Sequence, residues 1–212
     1  MTIAFKTHQT IEFIGDSVTD CGCRYPFYKP LGNGYVRYIH HLLQSSYPKM
    51  QLKIINKGHS GHRITNLKTR WTQDVVDINP DWLFIFIGIN DTYHFILDDL
   101  KEDVGVSNFS NIYHQLIDEV LNKTQSHLRL VSPFLAENDL TEPFRKKLFD
   151  YQKSIDQLGE KFNIPVIQIQ PAFDCAMLSK PFDYWTLDRV HPTEAGHMLI
   201  ALTILKACGF SL

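Results

Sequence analysis

Three residues of this chain could together activate a nucleophile: Ser17, Asp188 and His191. Ser17 closes the run Ile11-Glu12-Phe13-Ile14-Gly15-Asp16-Ser17, a short apolar stretch ending in Gly-Asp-Ser. Such a stretch reads as a buried strand that carries the serine to a loop tip. Near the other end lies Asp188-Arg189-Val190-His191-Pro192, with a carboxylate three positions before an imidazole. A serine hydroxyl is a poor nucleophile at its free pKa. An imidazole must take its proton, and a carboxylate must hold that imidazole in the right tautomer. The chain therefore carries the parts of an acyl-transfer site in the order Ser, Asp, His.

Two further segments could serve the oxygen that becomes charged in such a reaction. Asn56-Lys57-Gly58-His59-Ser60-Gly61 follows the apolar stretch 52–55, and Gly88-Ile89-Asn90-Asp91 follows the strong strand candidate 82–87. With no Cβ in the way, the backbone N–H of Gly61 can approach an oxygen closely. The side-chain amide of Asn90 can point an N–H at the same oxygen. With the N–H of Ser17 they would form an oxyanion hole.

These four blocks resemble those of the SGNH, or GDSL, hydrolases, a family that names its Ser, Gly, Asn and His after the blocks carrying them. The matching positions are Ser17, Gly61, Asn90 and His191, with Asp188 in the Asp-x-x-His motif. The blocks run in family order from about residue 11 to the C-terminus. Gly-Asp-Ser-Val-Thr-Asp-Cys-Gly, Asn-Lys-Gly-His-Ser-Gly and Asp-Arg-Val-His-Pro look most similar to intracellular SGNH acetylxylan esterases. The resemblance implies an esterase for short acyl groups on small carbohydrates such as acetylated xylo-oligosaccharides, needing no metal or organic cofactor and assembling as a homo-oligomer. One departure stands out: where these relatives often carry a Trp before the Asp of the last block, this chain has Leu187, with Trp185 two positions earlier.

The elements that must position these residues alternate along the chain. Strands are predicted at 11–14, 52–55, 82–87, 128–131 and 165–169. Helices are predicted at 34–46, 63–78, 110–122 and 142–162, with a last one starting at Pro192. Strands apolar on both faces and separated by helices imply a parallel sheet covered on both sides, a three-layer α/β/α sandwich in one domain spanning 1–212. The family resemblance adds five strands in the flavodoxin-like order 2-1-3-4-5. In open parallel sheets, sites gather at the carboxyl ends of the strands. Ser17, Gly61, Asn90 and the Asp188/His191 pair all follow predicted strands. The stretch Thr92–Asn108 shows the least pattern and could cover the site.

Composition bounds the partners. The 212 residues are 44% hydrophobic and 21% charged, with a formal net charge of −2, so nothing suggests a nucleic acid as partner. No stretch approaches the roughly 20 apolar residues of a membrane helix. Residues 1–10 include Lys6, His8 and Gln9 and no apolar run, so a secretory leader is not expected and the cytoplasm is the expected location. Cys21 and Cys23 are too close for a relaxed disulfide, and Cys175 and Cys208 fall in apolar surroundings; free thiols are expected. His59, His62 and the Cys21/Cys23 pair lack the paired spacing of a structural zinc site. The apolar tail 204–212 and the loop with Phe27, Tyr28 and Pro30 are expected to be exposed and to mark subunit contacts.

Several neighbours of the blocks read two ways. Asp16 could hold the turn before Ser17 or contact substrate. Asp91, Tyr93 and Trp185 are candidate substrate contacts, with loop support or core packing as the alternatives. His197 is expected to pack on the last helix rather than act as base. A thioesterase or lysophospholipase for longer acyl chains, and a non-catalytic carbohydrate-binding or scaffold protein, remain the competing functions.

Overall fold

The computed structural model describes residues 3–97 and 105–211. Five strands form one sheet: β1 (Thr10–Gly15), β2 (Lys53–Gly58), β3 (Trp82–Phe86), β4 (His127–Ser132) and β5 (Val166–Gln168). All neighbours are parallel, in the order β2-β1-β3-β4-β5. The expected architecture and strand order are those observed. Gly15 lies opposite both Gly58 and Phe86, so the first three strands end level. The segments that follow them start from one edge.

Alternate strand residues face opposite helical layers. Ile11, Phe13, Phe84, Phe86, Val131 and Ile167 pack with α2 (Tyr35–Ser46) and with two later helices, α7 (Gln170–Met177) and α9 (Glu194–Ala207). Ile14, Leu83, Ile85, Leu128 and Leu130 pack with α3 (Ile64–Trp71), α5 (Val106–Lys123) and α6 (Pro143–Phe162). Pro143 opens α6 where a missing N–H costs nothing, and the Glu142 carboxylate accepts the Arg145 N–H at 2.7 Å.

The structure departs from the sequence expectations in five places. Strand β2 runs on through Asn56, Lys57 and Gly58, although polar residues hide that extension. The predicted helix 63–78 becomes α3 followed by a wider turn at Thr72–Val76, and Asn79 at φ 47° ends it before Pro80. Ser17 is not at a loop tip: it opens α1 (Ser17–Asp20). The stretch expected to be irregular is α4 (Ile89–Leu97) at its start and enters α5 at Val106; its portion 98–104 lies outside the described residues. α7 and the one-turn α8 (Phe182–Trp185) were not anticipated.

The apolar tail is not an exposed surface. Ile204, Leu205, Cys208 and Phe210 are buried in the layer containing α2. The Cys208 carbonyl accepts the Ala4 N–H at 2.9 Å. Burial against the chain's own sheet satisfies those side chains without a partner. The other expected surface is exposed: Phe27 is 90% accessible and Tyr25 67%. All four cysteines are free, with Cys175 exposed rather than in apolar surroundings and Cys208 buried.

Candidate active site

Ser17 comes off the end of β1 into the first turn of α1. Asp16 precedes it and accepts the Val18 N–H at 3.0 Å, the cap that starts this helix. Asp16 is buried and its carboxylate serves the turn. Burial pushes its pKa up to about 7, against the Val18 hydrogen bond and the nearby His191, which both pull it down.

His191 reaches Ser17 from a loop between α8 and α9. The loop is cross-tied: Thr186 and Pro192 form an antiparallel bridge, Leu187 N–H donates to the His191 carbonyl at 2.8 Å, and the Ala136 N–H donates to the Arg189 carbonyl at 2.8 Å. Because Pro192 serves this bridge, the last helix starts later than expected. Thr193 caps it, its hydroxyl accepting the Gly196 N–H at 3.3 Å. Arg189 takes φ 72° and its guanidinium donates to Glu137 at 2.9 Å.

The result is a chain of hydrogen bonds. Ser17 Oγ lies 2.9 Å from His191 Nε2, and His191 Nδ1 lies 2.7 Å from Asp188 Oδ2. With Nδ1–H donating to the carboxylate, the Nε2 lone pair faces the serine hydroxyl. Asp188 Oδ1 accepts the backbone N–H groups of Val190 at 3.1 Å and His191 at 2.7 Å. Partial burial alone would raise this carboxyl. The hydrogen bonds from the His191 N–H, its ring and Val190 outweigh burial and hold the pKa below the usual range. An ionised Asp188 suits an imidazole that must gain a proton.

Gly61 lies beyond β2 in the turn His59-Ser60-Gly61-His62, closed by the His62 N–H donating to the His59 carbonyl at 3.2 Å. Gly61 has φ +78°, the value the third residue of a type II turn requires and other residues rarely adopt. Gly58, the alternative glycine of that block, is a packing residue: a Cβ there would collide with the backbone of Thr19 and Asp20. Asn90 lies in the first turn of α4, and its amide donates to the His62 carbonyl at 3.0 Å. That leaves it a second N–H. Asp91 points the other way. It is fully buried and accepts the Ile64 N–H at 3.1 and 3.2 Å from its two oxygens. It serves the N-terminus of α3. Burial pushes its pKa up to about 7, against the pull of that same hydrogen bond.

Beside His191, a cavity of about 390 Å³ is lined by Ile89, Asn90, Tyr93, Leu135, Phe144, Asp188, Arg189 and Val190. Tyr93 is therefore at the site. Trp185 is not among its walls: half-buried, it packs on the α2-side core and its ring meets Tyr184 edge-on at 4.9 Å. His197 is buried, its Nδ1 accepting the Tyr35 N–H at 3.3 Å, and burial pushes its pKa down to about 4. Sequence reasoning missed Leu135 and Phe144, which lie far from any block in the chain. It also missed Asp20, whose position three residues after Ser17 was the available signal.

A parallel sheet that gathers a serine–histidine–aspartate chain and an asparagine at its carboxyl edge defines a hydrolase architecture. The chain belongs to the GDSL-like lipase/acylhydrolase family, whose model matches residues 13–199, and it is a carboxylic ester hydrolase. It is 36% identical over 208 residues, 95% of this chain and 94% of the other, to an acetylxylan esterase of Geobacillus stearothermophilus. The crystal structure of Axe2, an acetylxylan esterase from Geobacillus stearothermophilus, superposes with a TM-score of 0.92 at 34% identity, covering 99% of this chain and 98% of that one. LAE5, an alpha/beta hydrolase enzyme from the metagenome of Lake Arreo, Spain, superposes with a TM-score of 0.92 at 26% identity over 98% of each chain.

Proposed function

We propose that the protein hydrolyses acetyl esters of small carbohydrates, such as acetylated xylo-oligosaccharides. Ser17 attacks the ester carbonyl as His191 Nε2 takes its proton; Asp188 orients the imidazole and stabilises its charged form. The N–H groups of Ser17 and Gly61 and the Asn90 amide receive the oxyanion. His191 then hands its proton to the leaving alcohol. Water, activated by the same imidazole, hydrolyses the acetyl-enzyme. The observation that carries this reading is the Ser17–His191–Asp188 chain at 2.9 and 2.7 Å. The acetyl preference is supported by the identity to an acetylxylan esterase.

A second reading has one observation in its favour. The cavity of about 390 Å³ has Ile89, Leu135, Phe144 and Val190 among its walls beside polar Asn90, Asp188, Arg189 and His191, more space than an acetyl methyl fills, so a longer acyl chain could enter. Rates on acetyl, butyryl and octanoyl esters, run beside acetylated xylo-oligosaccharides, decide between them. We expect kcat/KM to be highest for acetyl and to fall with chain length. A steady rise from acetyl to octanoyl would instead mark a thioesterase or lysophospholipase.

We also propose a homo-oligomer. The support is now the exposed Tyr25 and Phe27, with Leu187 at 75% accessible on the His191 loop, since the C-terminal tail is covered. Light scattering at micromolar concentration is expected to give a multiple of the 24.6 kDa chain mass; a mass near one chain rejects the assembly.

A further inference from the structure

We propose that Asp20 is a positioning residue that sets the Gly61 N–H against the Ser17 N–H, acting through Ser60. This rests on the functional reading above.

Asp20 is rigidly linked to the serine. Ser17 opens α1 and Asp20 ends it, with the Asp20 N–H donating to the Asp16 carbonyl at 2.9 Å and the Cys21 N–H to the Ser17 carbonyl at 3.0 Å. Its buried carboxylate then gathers donors from two segments. Oδ2 accepts the Ser60 N–H at 3.1 Å, the Ser60 hydroxyl at 2.9 Å and Arg24 Nη2 at 2.7 Å. Oδ1 accepts the Cys23 N–H and the Cys23 thiol, each at 3.2 Å. Burial pushes this carboxyl up, but the bonds from Cys23 and Ser60 and the Arg24 charge together bring it below the usual range. Arg24 also donates to the Gly58 carbonyl at 2.8 Å, which ties the end of β2 to the same group.

Packing does not orient Gly61. A Cβ placed on it would meet nothing within 4 Å. The direction of its N–H follows from the Ser60–Gly61 peptide plane, and that plane is held from either side. On one side Ser60 is bound twice to Asp20; on the other the His62 carbonyl accepts from Asn90 at 3.0 Å. Donors stabilise a transition state only when they already point at the place where charge develops. Asp20 supplies half of that preorganisation, and it does so from the turn that carries the nucleophile.

The sign of the effect separates positioning from charge. An anion near developing negative charge opposes it, so a purely electrostatic Asp20 would slow the enzyme and Asp20→Asn would speed it. A positioning Asp20 gives the opposite: the amide turns one acceptor into a donor that faces other donors, and the turn loosens. With sites counted by a serine-reactive phosphonate, Asp20→Asn is expected to lower kcat on an aryl acetate by about 10- to 100-fold, with KM changed by less than about threefold. Ser60→Ala, on an exposed side chain, removes only the hydroxyl bond and is expected to lower kcat by about 3- to 10-fold. Ser60→Thr keeps the hydroxyl and is expected to recover most of that loss. Should Asp20→Asn lack a cooperative melt, the Ser60 pair decides alone. An unchanged or raised kcat per site, or a loss confined to KM, overturns the assignment. A wild-type chain that hydrolyses no ester, or a Ser17→Ala chain as fast as wild type, overturns the functional reading instead, and those controls tell the two failures apart.

Discussion

Ser17→Ala is expected to lower kcat on an aryl acetate by about 10⁶-fold while leaving the fold in place. The magnitude follows from what remains. Without Oγ there is no acyl-enzyme, and His191 Nε2 loses the partner it meets at 2.9 Å. The N–H groups of the turn and the Asn90 amide stay, so a small excess over the uncatalysed rate persists through oxyanion binding and substrate positioning. The fold should tolerate the change because α1 is capped by Asp16, not by the serine hydroxyl. His191→Ala should cost a similar factor, and the double variant little more, because groups that act as one unit are not additive. Steady-state rates corrected for a wild-type contaminant, together with a thermal melt, test this. A Ser17→Ala protein that is folded and keeps more than a tenth of wild-type turnover removes Ser17 from the role of nucleophile.

Where the sequence was legible, the physics was local or repetitive. Apolar runs such as Trp82–Phe86 become a strand buried throughout. Each chemically suggestive residue follows a strand, so one sheet edge can gather them; Ser17 and His191, 174 positions apart, duly meet. The order of the strands was not in the pattern at all and came from the family likeness. Polar residues in buried work were the blind spot. Asn56 looks like a loop residue, yet its amide donates to the carbonyls of Thr19 at 2.7 Å and Leu31 at 2.8 Å, which keeps it inside β2. Asp16 and Asp91 look like residues poised for substrate, yet each serves a helix N-terminus. A carboxylate that caps a buried helix end and one that faces a ligand have the same neighbours in sequence. Only the third dimension separates them.

The tail teaches a related point. α9 is apolar on most of its surface, with Ile200, Ala201, Ile204 and Leu205 all buried. Such a helix must be covered, but hydrophobicity does not say by what. Here the cover is α2 and the N-terminal segment, where Phe210 meets Tyr47 at 6.1 Å between ring centroids. The aromatic loop at 25–28 has no comparable run, and the rings of Tyr25 and Phe27 stay in solvent. The exposed apolar surface is therefore not the one that the longest apolar run suggested.

Asn90→Ala is expected to lower kcat by about 10²- to 10³-fold with a smaller change in KM, because a donor aimed at developing charge acts in the transition state. The proposed oxyanion role and the observed bond to His62 push in the same direction. One amide hydrogen is spent on the His62 carbonyl at 3.0 Å, which steadies the turn carrying Gly61. The other is available to the cavity that Asn90 shares with His191 and Tyr93. Truncation removes a donor and loosens a second, so the loss should fall toward the upper end of that range. Asn90→Asp sharpens the test. Its carboxylate is near-isosteric, but it has no N–H to offer and would face the His62 carbonyl and the oxyanion as an acceptor. It should be at least as slow as the alanine variant when ionised, and its rate relative to wild type at the same pH should recover in part as pH falls and the carboxyl gains a proton it can donate. Michaelis–Menten parameters for both variants across acidic and neutral pH are the measurement. Normal turnover with weaker substrate binding would place Asn90 in ground-state recognition and take it out of the oxyanion hole.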